Sequence, residues 1–315
     1  MSLAFDGKAI ITGGDNADKT SIYISSSDTW VAGPAMKISR GYQFAPMLTA
    51  DAQGAFRTDN HGWLFAWKNG SVFQAGPSKA MNWYGTAGTG SQVAAGSRAS
   101  DTDSMCGNAA LYDAVNGKIF TAGGSPSYQD SNATKNVHLI TIGAPNVAPT
   151  VQTLTSMSYA RAFANSVILP NGKVMVTGGQ PYAAKPRTYH SIALLMLDGR
   201  VFTGGGGLCG SSCATNHKDA QIYSPSYLFN DDGTAATRPV ISSITSTVAV
   251  GYGSNTHTVN TDQRRIALTP VAANGTTYTF TIPADPGVAL PGYWMFWAMN
   301  SAGVPSLGGT VKITL

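Results

Sequence analysis

The chain has 315 residues, 43% of them apolar, which is enough for one large or two ordinary globular domains with a buried core. Only 11% are charged, and the net charge of +4 gathers into no basic cluster beyond Arg264-Arg265, which excludes the electrostatic footprint of a nucleic-acid-binding protein. No window approaches the ~20 continuous apolar residues of a membrane span, and the opening MSLAFDGKAI lacks the basic, apolar pattern of a secretion signal.

Gly, Ser, Thr and Asn are abundant, a balance that suits short strands joined by turns and predicts an all-β chain. One phrase recurs along it: an Asn-Gly or Asp-Gly turn, a short β-branched or aromatic strand, then a glycine pair. It reads DGKAIITGG at 6–14, NGKIFTAGG at 116–124, NGKVMVTGG at 171–179 and DGRVFTGGGG at 198–207, with a weaker copy, NGSVFQAG, at 69–76. Type I′ turns place both central residues at positive φ and favour these dipeptides, so each phrase is expected to open on a hairpin. Repeats of about fifty residues with a glycine pair are the pattern of kelch-type propeller blades. The pairs here fall near 14, 76, 124, 179 and 206, so the repeat is interrupted and fewer than seven blades are expected.

After Pro225 the pattern changes. A polar connection covers 226–238, and then short strands without glycine pairs follow: ISSITSTVAV, TYTFTIP, GYWMFWAMN and TVKITL. They predict a small Ig-like β-sandwich over 238–315 behind a propeller over 1–237. Trp294 and Trp297 fit the core of that sandwich better than a substrate platform.

Cys209 and Cys213 form a local disulfide or half of a metal site; no second Cys/His pair at zinc-finger spacing completes the latter, which favours the disulfide. Three Asn-x-Ser/Thr sequons, at Asn69, Asn132 and Asn274, agree with an exported protein. Tyr189 and His190 stand side by side just ahead of the last phrase. Adjacent residues of a regular strand point to opposite faces, so the two could share a metal only at a strand end or a bulge.

Long runs of the chain resemble the copper radical oxidases: RGYQ at 40–43, DNHGWLFAW at 59–67, PSKAMNWY at 77–84, CGNAALYDAVNGKIFTAGGSPSYQDSNAT at 106–134, the Tyr-His/Gly4/Cys-x3-Cys block, THTVNTDQRRI at 256–266 and VALPGYWMFWAMNSAGVPS at 288–306. The resemblance implies one Cu2+ per chain held by Tyr42, Tyr189, His190 and His257. It implies a tyrosyl radical on Tyr42 and a proton-accepting role for Tyr189. Imidazole and phenolate donors with an open position suit Cu(II). Arg57, Tyr128 and Gln129 match positions that line the pocket in galactose-oxidising members, and Phe163 matches an aromatic near the pocket wall. A guanidinium fork suits a diol because it can donate to two hydroxyls. The activity implied is oxidation of a primary alcohol, galactose or a galactoside, with reduction of O2 to H2O2, by a secreted monomer. His61, His138 and His217 match no ligand and read as structural.

The chain departs from the family pattern in three ways. No Cys precedes the first phrase, so the thioether cross-link to the radical Tyr is not expected, and Cys106 lies in a different segment. The blade after RGYQ, with its stacking Trp, is missing. The stretches ahead of the Tyr-His block and ahead of His257 are shortened. A non-catalytic, shortened remnant that keeps a kelch-like carbohydrate-binding fold is the alternative.

Overall fold

The computed structural model describes residues 2–3, 9–12, 19–24, 26–35, 62–127, 130–182, 191–207, 217–243, 250–251 and 260–314. Among them, strands dominate and the helical elements are two short 3-10 turns, Lys68–Gly70 and Ser226–Leu228. The all-β expectation holds.

Five antiparallel sheets follow one another. The first is β1 (Ser2–Leu3), β2 (Ala9–Thr12), β3 (Thr20–Ile24) and β4 (Thr29–Gly33). The second is β5 (Trp63–Trp67), β6 (Ser71–Gly76), β7 (Ala80–Gly85) and β8 (Ser91–Ser97). The third is β9 (Asn108–Asp113), β10 (Lys118–Ala122), β11 (Val137–Thr141) and β12 (Thr150–Thr153). The fourth has two strands among the described residues, β13 (Ala162–Ile168) and β14 (Val174–Gln180); the fifth has three, β15 (Ile192–Leu195), β16 (Val201–Gly204) and β17 (Ala220–Tyr223). Each sheet runs in sequence order, as propeller blades do. The first strands of the third, fourth and fifth sheets, β9, β13 and β15, pack side by side.

Beyond them lie β18 (Val250–Gly251), β19 (Pro270–Asn274), β20 (Thr277–Phe280), β21 (Gly292–Phe296) and β22 (Gly309–Ile313), in the orders β18-β21-β22 and β19-β20. Three of the four predicted strands coincide with β20, β21 and β22. β19 was not foreseen, because PVAAN carries little β-branched or aromatic signal.

The turn phrases form hairpins, but not all of the type expected. Asn69 (φ 57) and Gly70 (φ 64) both adopt the left-handed conformation of a type I′ turn. At the other described turns only the glycine is left-handed: Gly117 (φ 65), Gly172 (φ 83) and Gly199 (φ 81). At the Gly117 turn Asn116 Nδ2 donates to the Asp113 carboxylate at 2.8 Å; at the other two the preceding side chain serves the backbone, Asn171 Oδ1 accepting from Lys173 N at 3.2 Å and Asp198 Oδ1 from Arg200 N at 3.0 Å. These two are Asx-type turns, and the expectation of a type I′ turn at every phrase is corrected. The glycine pairs do let backbones crowd: a Cβ on Gly124 (φ 90) would lie 2.7 Å from the carbonyl carbon of Ser104.

The main core joins the second and third sheets to the C-terminal region. Trp63, Phe65, Trp67, Phe73 and Trp83 pack with Leu111, Ile119 and Ile140, and also with Ile266, Val288, Ala289 and Trp294. The indole N–H groups of Trp67 and Trp83 donate to Gly143 O and Val147 O, both at 2.7 Å, so these buried rings keep their polar edges satisfied. Trp297, 8% exposed, donates to Leu197 O at 3.1 Å in the fifth sheet. Trp294 and Trp297 are therefore core residues, as expected, and they face the propeller.

Candidate functional site

The glycine-pair ends of β10, β14 and β16 meet the starting ends of the neighbouring inner strands β9, β13 and β15. The register makes the three blades comparable: Asn108 pairs with Ala122, Asn165 with Thr177 and Ile192 with Gly204, each partner standing just ahead of a glycine pair. Counting back two residues from Asn108, Asn165 and Ile192 gives Cys106, Phe163 and His190.

In the two sheets where that position is described, it breaks the strand. Cys106 (φ 55) and Phe163 (φ 58) are both left-handed, which is unusual for non-glycine residues. Pairing resumes one residue earlier, at Met105↔Ser125 and Ala162↔Gln180. Phe163 N donates to Cys106 O at 2.8 Å, tying the two interruptions together across the blades. Phe163 is 2% exposed, in an apolar cluster with Met105, Cys106 and Ala162. The ring is thus buried among these residues.

A segment from beyond the propeller reaches the same strands. Arg264 forms a parallel bridge with Leu111 of β9, and its neighbour Arg265 accepts from Ala114 N at 2.9 Å and donates to Leu111 O at 3.2 Å. On the other side Gln263 Oε1 accepts from Ile168 N at 3.0 Å, and Gln263 Nε2 donates to Ser166 O at 2.9 Å, both on β13. Residues 260–266 are therefore threaded between two inner strands, and His257 stands three positions ahead of this insert in the sequence. The buried Arg264 guanidinium donates to Gly287 O at 2.7 Å, and burial pushes its pKa down to about 10, which leaves it charged at neutral pH.

The fifth inner strand is tied to β13 as well. Asn165 Nδ2 donates to Ser191 Oγ at 2.9 Å, and Ser191 directly follows His190 in the sequence. Beside this contact lies a cavity of about 230 Å3 lined by Asn165, Thr177, Ser191, Thr203, His217 and Gln221, among others. His217, which sequence reasoning set aside, stands at this cavity with its Nδ1 3.6 Å from Asp219 Oδ1. His138 is structural, as expected: it is 4% exposed beside Asp101, within a network that includes Arg98 and Ser104.

Tyr42, Tyr189, His190 and His257 lie outside the described residues, as do Arg57, Tyr128, Gln129, His61, Cys209 and Cys213. Among the described residues no three His, Cys, Asp or Glu side chains gather as a metal site. The two phenols and two imidazoles named by the sequence fit copper(II) in their chemistry. Polar atoms without partners also occur at this end: Asn108 Nδ2 and Oδ1, at the start of β9 and 1% exposed, and Asn260 Oδ1, at the start of the insert. Buried amides left unpaired are costly, so a polar occupant or ligand framework is compatible with this end of the molecule.

Comparison with known proteins gives a consistent picture. A model of the galactose oxidase-like early set domain matches residues 220–313. A galactose oxidase of Gibberella zeae is 46% identical over 409 aligned positions, which take in 100% of this chain. The chain spans 60% of that relative's length. Since 409 positions accommodate 315 residues, 94 of them hold residues of the relative that have no counterpart here, so part of the difference in length lies within the aligned region. An aldehyde oxidase (GLOX) of Vitis pseudoreticulata is 27% identical over 51% of the chain and 42% of its own length. The solved structure of a fungal alcohol oxidase of the AA5 family, in complex with copper, is 40% identical, covering 99% of this chain and 84% of that one, with a TM-score of 0.82. The chain therefore belongs to the copper radical oxidases, the AA5 family of galactose oxidase-like enzymes whose motifs its sequence carries.

Proposed function

We propose that this chain is a secreted, monomeric copper radical oxidase that converts a primary alcohol, a galactoside in the first instance, to the aldehyde while O2 is reduced to H2O2. The observation that carries this reading is the convergence on β13. Consecutive residues of that strand, Asn165 and Ser166, bond Ser191, which follows His190, and Gln263, in the insert that follows His257. Two segments far apart in sequence, which between them carry or directly adjoin three of the four candidate ligands, are thereby brought to one strand. The left-handed Cys106 and Phe163 add support. His190 holds their position in its own repeat, and the same interruption would turn Tyr189 and His190 toward a common point.

In this reading Tyr42, Tyr189, His190 and His257 hold one copper. When bound, copper(II) would supply a one-electron acceptor beside Tyr42, whose oxidised phenol supplies the second. Tyr189 takes the hydroxyl proton of the alcohol. Arg57 and Gln129 hold the sugar hydroxyls, which favours a galactoside over an aldehyde or a simple aliphatic alcohol. The alcohol loses two electrons and two protons, and O2 takes up both pairs as peroxide.

A second reading, a binding protein that has kept the fold and lost the chemistry, draws on the two-stranded fourth sheet among the described residues. Metal analysis after incubation with Cu(II) separates the two. One copper per chain, lost on His257→Ala, is the expected result, with H2O2 released from galactose by the parent protein and not by Tyr42→Phe. A parent protein that takes up no copper leaves the binding protein; equal peroxide from Tyr42→Phe removes the radical mechanism.

A further inference from the structure

The contact between Asn165 and Ser191 joins two blades at the one described residue that directly adjoins a candidate ligand. Asn165 is 2% exposed on β13, and its Nδ2 reaches Ser191 Oγ at 2.9 Å. Ser191 is only partly buried and opens onto the cavity of about 230 Å3 beside it. Close packing therefore does not enclose Ser191 on that side, and a directional bond is what fixes it against the cavity. The same blade position in the third sheet also carries an amide, Asn108, so two successive inner strands present a carboxamide toward this end.

We propose that Asn165 is a positioning residue for the ligand pair Tyr189–His190, acting through Ser191. A backbone left unanchored beside a cavity can shift by fractions of an ångström; groups that hydrogen-bond a metal ligand directly change metal affinity by about 10–100-fold when removed, and a group that acts one residue further out is expected at the lower end of that range. The inference rests on the oxidase reading above, because it takes Tyr189 and His190 to be ligands.

The test is a four-protein cycle on metal-free full-length chain: parent, Asn165→Leu, Ser191→Ala and the double variant. Each is titrated with Cu(II) by calorimetry, and the loaded forms are compared by electron paramagnetic resonance. Asn165→Leu keeps the approximate side-chain volume and removes the donor. The expected result is a Kd raised about tenfold in each single variant, no further loss in the double, and a changed copper hyperfine splitting in all three. Additive losses across the cycle, or singles with the parent's Kd and spectrum, overturn the inference. If Asn165→Leu does not fold, Ser191→Ala alone decides by the same readings, since a partly exposed hydroxyl is removed without leaving a core void. A parent protein that binds no copper overturns the oxidase reading itself, an outcome distinct from copper bound equally well by all four.

Discussion

Two residues behave in ways their identity alone does not announce. Left-handed backbone is the province of Gly and, less often, Asn, so nothing in the letters Cys106 or Phe163 signals φ near +55. The repeat register reveals it, and the sequence supplied that register through the glycine pairs. His138 was legible from the start as a structural residue. Its burial, 4% exposed, pushes the imidazole pKa below its ordinary value; Asp101 raises it in part, and Arg98 lowers it again. The fold thus favours neutral His138. An unfolded histidine titrates near pH ~6.5, so this contribution is fully present above that pH and is lost as the pH falls through it toward the lower folded value. Denaturant midpoints of the parent should drop more steeply than those of His138→Gln between about pH 7 and pH 5. Parallel curves for the two proteins would show that His138 carries no such linkage.

At the scale of elements, the hairpins and their order could be read from the turn phrases, while the joints between elements could not. Ile266, Val288 and Trp294 pack with Trp63 and Trp67, some two hundred residues away, and no local pattern encodes that contact. The tightest joint is a glycine. A Cβ on Gly287 would lie 2.0 Å from Trp67 O and 2.4 Å from its carbonyl carbon, so backbone would have to move. Gly287→Ala is expected to cost about 1–3 kcal/mol by forcing the loop off the second sheet, readable as a lowered thermal midpoint. A variant as stable as the parent would mean that the joint gives way freely. Four of the candidate-site calls rested on shortened or interrupted segments, where neither periodicity nor turn chemistry fixes the path of the chain, and there the resemblance carried what local physics could not.

For the whole molecule, the expected partition into a propeller and a separate sandwich meets a core that both regions share. Ile266, Val288, Ala289 and Trp294 complete a cluster whose other members come from the second and third sheets, and Trp297 joins the fifth. Domains with their own cores unfold in separate steps, whereas a shared core makes the transition common to both. Calorimetry should therefore show one cooperative transition, and two resolved peaks would argue for independent units. A chain cut after residue 237 should likewise be recovered unfolded or aggregated, because Trp63 and Trp67 would lose their cover.

The insert at 260–266 also orders events in time. Its contacts close the gap between β9 and β13 with residues drawn from the last fifth of the chain. A ribosome makes that part late, long after the inner strands have emerged. Under the proposed function, no complete set of ligands exists until the segment that carries His257 has been made, and the metal is acquired only after this insert has joined the inner strands. Loading then becomes a step of maturation, open to control by where and when the completed chain first meets copper.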